Sequence, residues 1–124
     1  MSGQLDEATL ALLDAEREVE IVVRLPDGST QQTTIWVVVD EAQPFIRSWR
    51  GPRAAWFQAA LDRPDEVELI CARRRLAVRP VLAIDDVSIA RCSSALERKY
   101  AGNPSTAGMV REEILETTLR LEGR

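Results

Sequence analysis

A chain of 124 residues suits one domain spanning 1–124, and its 45% apolar and 29% charged residues exclude a disordered chain. A formal net charge of −4 removes the electrostatic drive for nucleic-acid binding, and no apolar run approaches the ~20 residues of a membrane helix. The sequence contains no histidine, which excludes Ser-His, Cys-His and His-metal chemistry outright.

The opening Met1-Ser2-Gly3-Gln4-Leu5-Asp6-Glu7 has neither the basic segment nor the apolar stretch of a targeting peptide, so a cytoplasmic location is expected. Leu5, Ala8, Leu12, Ala15 and Val19 then follow helical spacing, with acidic Asp6-Glu7 at the start, which predicts an amphipathic helix over about 6–18. From Val19 the period changes to two, with Val19, Ile21, Val23 and Leu25 alternating as in a half-buried strand. Pro26-Asp27-Gly28-Ser29 combines a preset φ with a glycine able to take φ > 0, so a hairpin turn is expected there. Its return strand runs from about Thr30 to Val39. In it Thr33-Thr34-Ile35-Trp36-Val37-Val38-Val39 is apolar on both sides and predicts a strand covered on both faces.

Asp40 to Gln43 form another turn, and Pro44-Phe45-Ile46-Arg47 a short strand with proline at its first residue. The polar turn Ser48-Trp49-Arg50-Gly51-Pro52-Arg53 leads into helical spacing at Trp56, Ala59, Ala60 and Leu61, which Pro64 ends. Val67, Leu69 and Cys71 alternate as a strand, Arg73-Arg74-Arg75 read as a solvated hairpin tip, and Leu76, Val78 and Val81 return, with Pro80 demanding a bulge or an edge. Asp85-Asp86 cap a helix from Val87 to about Tyr100, whose inner face carries Ile89, Cys92 or Ser93, Leu96 and Tyr100. Residues 109–113 are ambiguous, and Leu115, Thr117, Leu119 and Leu121 alternate as a last strand. Six strands joined mostly by hairpins give an α+β fold, an antiparallel barrel with helices packed outside. Cys71 and Cys92 lie in no metal or redox spacing and read as small buried hydrophobes, so neither a disulfide nor a metal site is expected.

The chemistry concentrates between Phe45 and Trp56. Arg47, Arg50 and Arg53 fall beside Ser48 and the free N–H groups of a helix start, a combination that suits a phosphate: guanidinium forks bind its oxygens and the helix dipole favours its charge. The competing account is an exposed turn whose arginines pair with nearby carboxylates. Trp36 and Trp56 suit the core, whereas Trp49, inside a polar turn, suits a ligand or an interface. Asp85-Asp86 and Glu112-Glu113 are adjacent rather than three or four apart, so they read as a cap and a surface rather than an acid/base pair.

From about Glu20 to Glu122, the Thr33–Val39 strand, the Phe45-Ile46-Arg47-Ser48 strand end with its basic helix start, and the closing Thr117–Leu121 segment resemble the flavin-binding split-barrel superfamily. Within it the chain is most similar to a small uncharacterised bacterial family near the deazaflavin-dependent nitroreductases and the pyridoxamine 5′-phosphate oxidases. The resemblance implies a homodimer holding flavin mononucleotide (FMN) or a deazaflavin at its interface for oxidoreductase chemistry. It implies that Arg47, Ser48, Arg50 and Arg53, with Trp49 among them, form the phosphate turn, and that Thr33, Thr34, Ile35 and Trp36 lie beside the ring. Two positions depart from the oxidase pattern: its phosphate-turn lysine has no counterpart, and Pro52 stands where the helix should open. The alternative is a non-catalytic split-barrel dimer that has lost the cofactor and serves as a binding or assembly module.

Overall fold

A computed structural model describes residues 4–124, so Met1, Ser2 and Gly3 of the expected leaderless start lie outside the described residues. Helix α1 (Glu7–Ala15) opens where Asp6 accepts a hydrogen bond from the Thr9 amide at 2.8 Å, and it ends three residues before the expected limit. Its buried residues are Leu10 and Leu13; of the expected stripe Leu5 and Leu12 pack half-buried against the core and Val19 is buried, whereas Ala8 and Ala15 are exposed. Leucines remove more apolar surface from water than alanines do, and area decides the facing.

Strands β1 (Val19–Arg24) and β2 (Thr30–Ile35) form the first hairpin, in register Val19 opposite Ile35. β3 (Val38–Asp40) and β4 (Gln43–Ile46) form the second. A single 3-10 turn (Gly51–Arg53) precedes helix α2 (Ala55–Asp62), and a second (Pro64–Glu66) leads to β5 (Glu68–Cys71) and β6 (Arg74–Leu82). Helices α3 (Asp86–Lys99) and α4 (Thr106–Met109), a 3-10 segment (Glu112–Thr117) and strand β7 (Leu119–Gly123) complete the chain.

All strand pairs are antiparallel, and the order β2-β1-β5-β6-β7-β4-β3 makes one curled, half-barrel sheet. There are seven strands, not six, because the expected Thr30–Val39 strand is broken at Trp36–Val37. Its first half pairs with β1 and its second with β4, so the two edges of the sheet are consecutive pieces of one run of chain. Coverage on both faces holds only around the break, where Ile35, Val37 and Val38 are buried; Thr34 is exposed and Thr33 half-buried. Pro80 lies where β6 is paired with β7 but has left β5, so its missing N–H falls on a free edge.

The last strand starts later than the alternation predicts. Thr117 and Thr118 turn their hydroxyls back to the carbonyls of Ile114 and Leu115, each at 2.7 Å, which holds 112–117 in a 3-10 coil and delays β7 to Leu119. The apolar interior has two parts. One joins Leu13, Ile21, Val23, Leu69 and Leu121 to Trp56, Phe57 and Ala60 of α2; the other joins Val38 and Phe45 to Cys92, Leu96 and Tyr100 of α3 and to Met109 and Ile114. Both cysteines are free and buried, and burial pushes the Cys92 thiol up to about 11. Among the described residues no helix is long and apolar enough to cross a membrane, and no cluster could hold a metal ion.

Asp40 ties the second layer together. It accepts Arg91 Nε at 2.7 Å and Arg98 Nη2 at 3.0 Å, both from α3, while Arg91 Nη2 bonds the Asp40 carbonyl at 2.6 Å. The hydrogen bond from Arg91 holds the Asp40 carboxyl below its ordinary value, with burial opposing and Arg98 assisting. A depressed folded pKa means stability that is complete above the unfolded value and lost as pH falls through the folded one. Asp40→Asn is expected to cost about 1–2 kcal/mol at pH 7, with the gap to the parent closing below about pH 4, as read from urea midpoints across pH.

Candidate functional site

β2 and the segment from Arg47 to Trp56 face each other across one cavity of about 740 Å³. Its walls include Thr33, Thr34, Ile35 and Trp36 from one side and Arg47, Trp49, Arg50 and Arg53 from the other. Eight of the nine residues singled out from the sequence are thus brought together. The ninth, Ser48, is fully buried outside the lining; its hydroxyl donates to the Gly51 carbonyl at 2.7 Å and its amide to Thr117 Oγ1 at 3.0 Å. Ser48 therefore shapes the turn, with Gly51 supplying the φ of +82° that the reversal needs. Gln31, Ala54, Ala55, Trp56, Ser105 and Met109 complete the lining, and these the sequence did not single out as site residues. Gln31 could have been found, since it stands two before Thr33 and so shares its side of the strand. Ser105 and Met109 are more than fifty positions away and carry no local signal.

The three arginines differ. Arg47 is 1% exposed: its Nε donates to Thr118 Oγ1 at 2.8 Å, Nη1 to Ser93 Oγ at 2.9 Å and Met109 O at 3.2 Å, and Nη2 to Ile89 O at 2.9 Å. Its guanidinium thus ties β4 to α3, α4 and the start of β7, and it borders the cavity as a buried positive charge with no carboxylate beside it among the described residues. Burial alone pulls its pKa down. Arg50 and Arg53 are exposed, and among the described residues neither has a hydrogen-bond or ion-pair partner. The account in which they pair with neighbouring carboxylates does not hold.

Pro52 sits inside the 3-10 turn, so α2 opens three residues later, at Ala55. Ala54 occupies its N-cap with no side-chain hydrogen bond, leaving the first N–H groups of α2 uncapped beside Arg53 and Thr33 in the cavity wall. No acidic residue is among those lining the cavity. Cationic side chains, uncapped N–H groups and threonine hydroxyls together suit an anionic group, and the apolar walls of Ile35, Trp36, Trp56 and Met109 suit a planar, carbon-rich one.

The two kinds of arginine separate by stability. Arg47→Ala is expected to cost on the order of 3–5 kcal/mol, because it strands several buried acceptors, whereas Arg50→Ala and Arg53→Ala should each change stability by less than about 0.5 kcal/mol. Urea denaturation of the three variants checks this.

Among solved structures, the chain resembles ChuZ from Campylobacter jejuni with a TM-score of 0.76 at 11% identity; the match covers 95% of this chain but only 52% of ChuZ, so the chain spans about half the length of that protein. A candidate pyridoxamine 5′-phosphate oxidase from Listeria innocua matches with a TM-score of 0.62 at 10% identity over 94% of this chain and 89% of its own. An F420 reductase matches with a TM-score of 0.60 at 16% identity over 97% of this chain and 94% of its own. Identities this low show a shared fold, and it is the split-barrel fold that the sequence resemblance implied. No curated protein matches. Residues 9–121 match the family described as "Uncharacterized protein conserved in bacteria (DUF2255)", and the chain belongs to that family.

Proposed function

We propose that the cavity binds a flavin-type cofactor, FMN or a deazaflavin, with its phosphate between Arg50 and Arg53 at the start of α2 and its ring along Thr33, Thr34, Ile35 and Trp36. The observation that carries this reading is the pair of unpartnered arginines in a cavity without a single acidic wall residue. Some arginines elsewhere do find carboxylates, as Arg24 does with Glu66 at 2.9 Å and Arg75 with Glu68 at 2.7 Å, while exposed Arg73 and Arg74 at the β5–β6 hairpin find none among the described residues; what sets Arg50 and Arg53 apart is that they stand unpaired in a cavity wall. When bound, such a group supplies hydride or electron transfer at its ring, and the protein's part is to bind and orient it. The cavity volume of about 740 Å³ falls in the range of small-molecule sites. The fold shared with an F420 reductase and a candidate pyridoxamine 5′-phosphate oxidase supports the same class of ligand.

The chain acts, in this reading, as a homodimer. β2 is the sheet's outer strand beside the cavity, with one edge unpaired, and Trp49 stands 48% exposed on the facing wall. A symmetric partner would cover both. Light scattering at micromolar concentration is expected to give twice 13.9 kDa, and a strict monomer would count against a shared site.

The binding test uses FMN, flavin adenine dinucleotide, a deazaflavin and haem added to the purified chain, followed by quenching of Trp36, Trp49 and Trp56, all of which line the cavity. Arg50→Ala and Arg53→Ala should each weaken flavin binding about tenfold to a hundredfold, since a charge-assisted hydrogen bond to an anion is worth roughly 1.5–3 kcal/mol. Arg74→Ala, at the β5–β6 hairpin, should bind as the parent does. A colourless protein that ignores every added cofactor would favour the assembly role instead.

A further inference from the structure

Trp49 is the single aromatic side chain among the described residues that is left largely exposed, at 48%. An exposed indole is ordinarily free to change rotamer, yet this one is held by two residues of the segment that follows α3. The Arg111 guanidinium lies 4.9 Å from the centre of the Trp49 ring; its Nη1 donates to the Gly108 carbonyl at 2.6 Å and its Nη2 to the Trp49 carbonyl. Gly108 lies against the outer edge of the ring, at Cζ3 and Cη2. A Cβ built on it would stand 2.5 Å from Trp49 Cζ3 and nearer still to Cη2, closer than real atoms approach.

Gly108 is within α4 and is not one of the glycines with positive φ, so its backbone conformation is open to any residue. What requires glycine here is the indole, not the turn. The same residue lines the cavity, together with Arg50 and Met109. A large rigid aromatic that is fixed before any ligand arrives presents its surface without an ordering cost at the moment of binding.

We propose that Gly108 and Arg111 are positioning residues that hold Trp49 as a ready-made stacking wall for the planar part of the cavity's ligand. This rests on the flavin-type reading above and assigns to it a specificity element that reads flatness, separate from the arginines that read charge. Filling the space at the edge of the indole displaces the wall; freeing Arg111 loosens it. In either case a planar ligand loses contact while the phosphate end is untouched.

The experiment is a double-mutant cycle on the full chain with FMN as the probe, read by the flavin's own absorbance change, with thermal melts as the folding control. Trp49→Phe, whose shorter ring leaves the space over residue 108 empty, should weaken FMN binding about threefold, and Gly108→Ala about tenfold. In the double variant the added methyl has nothing to strike, so its affinity should match that of Trp49→Phe alone. Independent effects would instead multiply to about thirtyfold, and that result overturns the proposal. Arg111→Ala inserts no atom and decides the matter if Gly108→Ala does not fold: it should weaken FMN binding in the parent and do nothing further in Trp49→Phe. A parent that binds FMN while every variant binds within about twofold of it sinks this inference alone. A parent that binds neither FMN nor a deazaflavin sinks the flavin-type reading and this inference with it.

Discussion

Everything else in the fold hangs on the break at Trp36–Val37. A strand that continued straight from Thr30 to Asp40 would have one partner along its whole length; breaking it lets the first half pair with β1 and the second with β4, and the sheet must curl to satisfy both. A break costs ladder hydrogen bonds, and the freed Val37 carbonyl has to find other donors. It finds Lys99 Nζ at 2.7 Å and Tyr100 OH at 3.2 Å, both at the end of α3. Trp36 stacks on Tyr100 with ring centres 3.8 Å apart, so the same helix end that satisfies the kink also fixes the indole at the cavity wall. The one lysine in the chain is spent here, bridging the Leu13 and Val37 carbonyls.

Burial sorts the arginine-rich turn into two kinds of residue. Arg47, at the end of β4, is enclosed by acceptors from three later segments and functions as a tie rod. Arg50 and Arg53, three and six positions on, have left the core and retain every donor. The division has a physical reason: a guanidinium already held by protein hydroxyls and carbonyls has little left to offer a ligand, whereas one in solvent can bind an anion but adds little to stability. That the turn carries both within one reversal explains how the cavity wall can be rigid and still cationic.

Features governed by neighbours in sequence were legible. Pro26–Ser29 makes its hairpin through the Leu25–Ser29 and Gly28–Leu25 bonds, Asp85 caps α3 by accepting from the Ser88 amide at 3.0 Å, and the alternation matches burial in β5 and, apart from buried Val22, in β1. Much of the cavity was legible too, because the strand and the turn that form it each carry dense local chemistry. What escaped depends on distant partners. The break at Trp36 is paid back by residues more than sixty positions later, and the burial of Arg47 by residues 42 to 71 positions later. The late start of β7 turned on whether two threonines would use their hydroxyls on the backbone, which period-two alternation cannot register.

Strand β7 lies between β6 and β4, in the interior of the sheet, although it is the last strand in sequence order. Without it β6 and β4 share no ladder, and β3–β4 is a lone hairpin, which on its own is marginal in water. The pairing of Ile46 with Leu119 closes a loop of more than seventy residues, an entropic toll that nothing local repays in advance. The β1-β2-β5-β6 half closes through shorter loops, whereas the β4–β7 pairing and the Arg47–Thr118 hydrogen bond both span about seventy residues. The side of the cavity that Arg47 borders therefore depends on the least local pairing in the sheet.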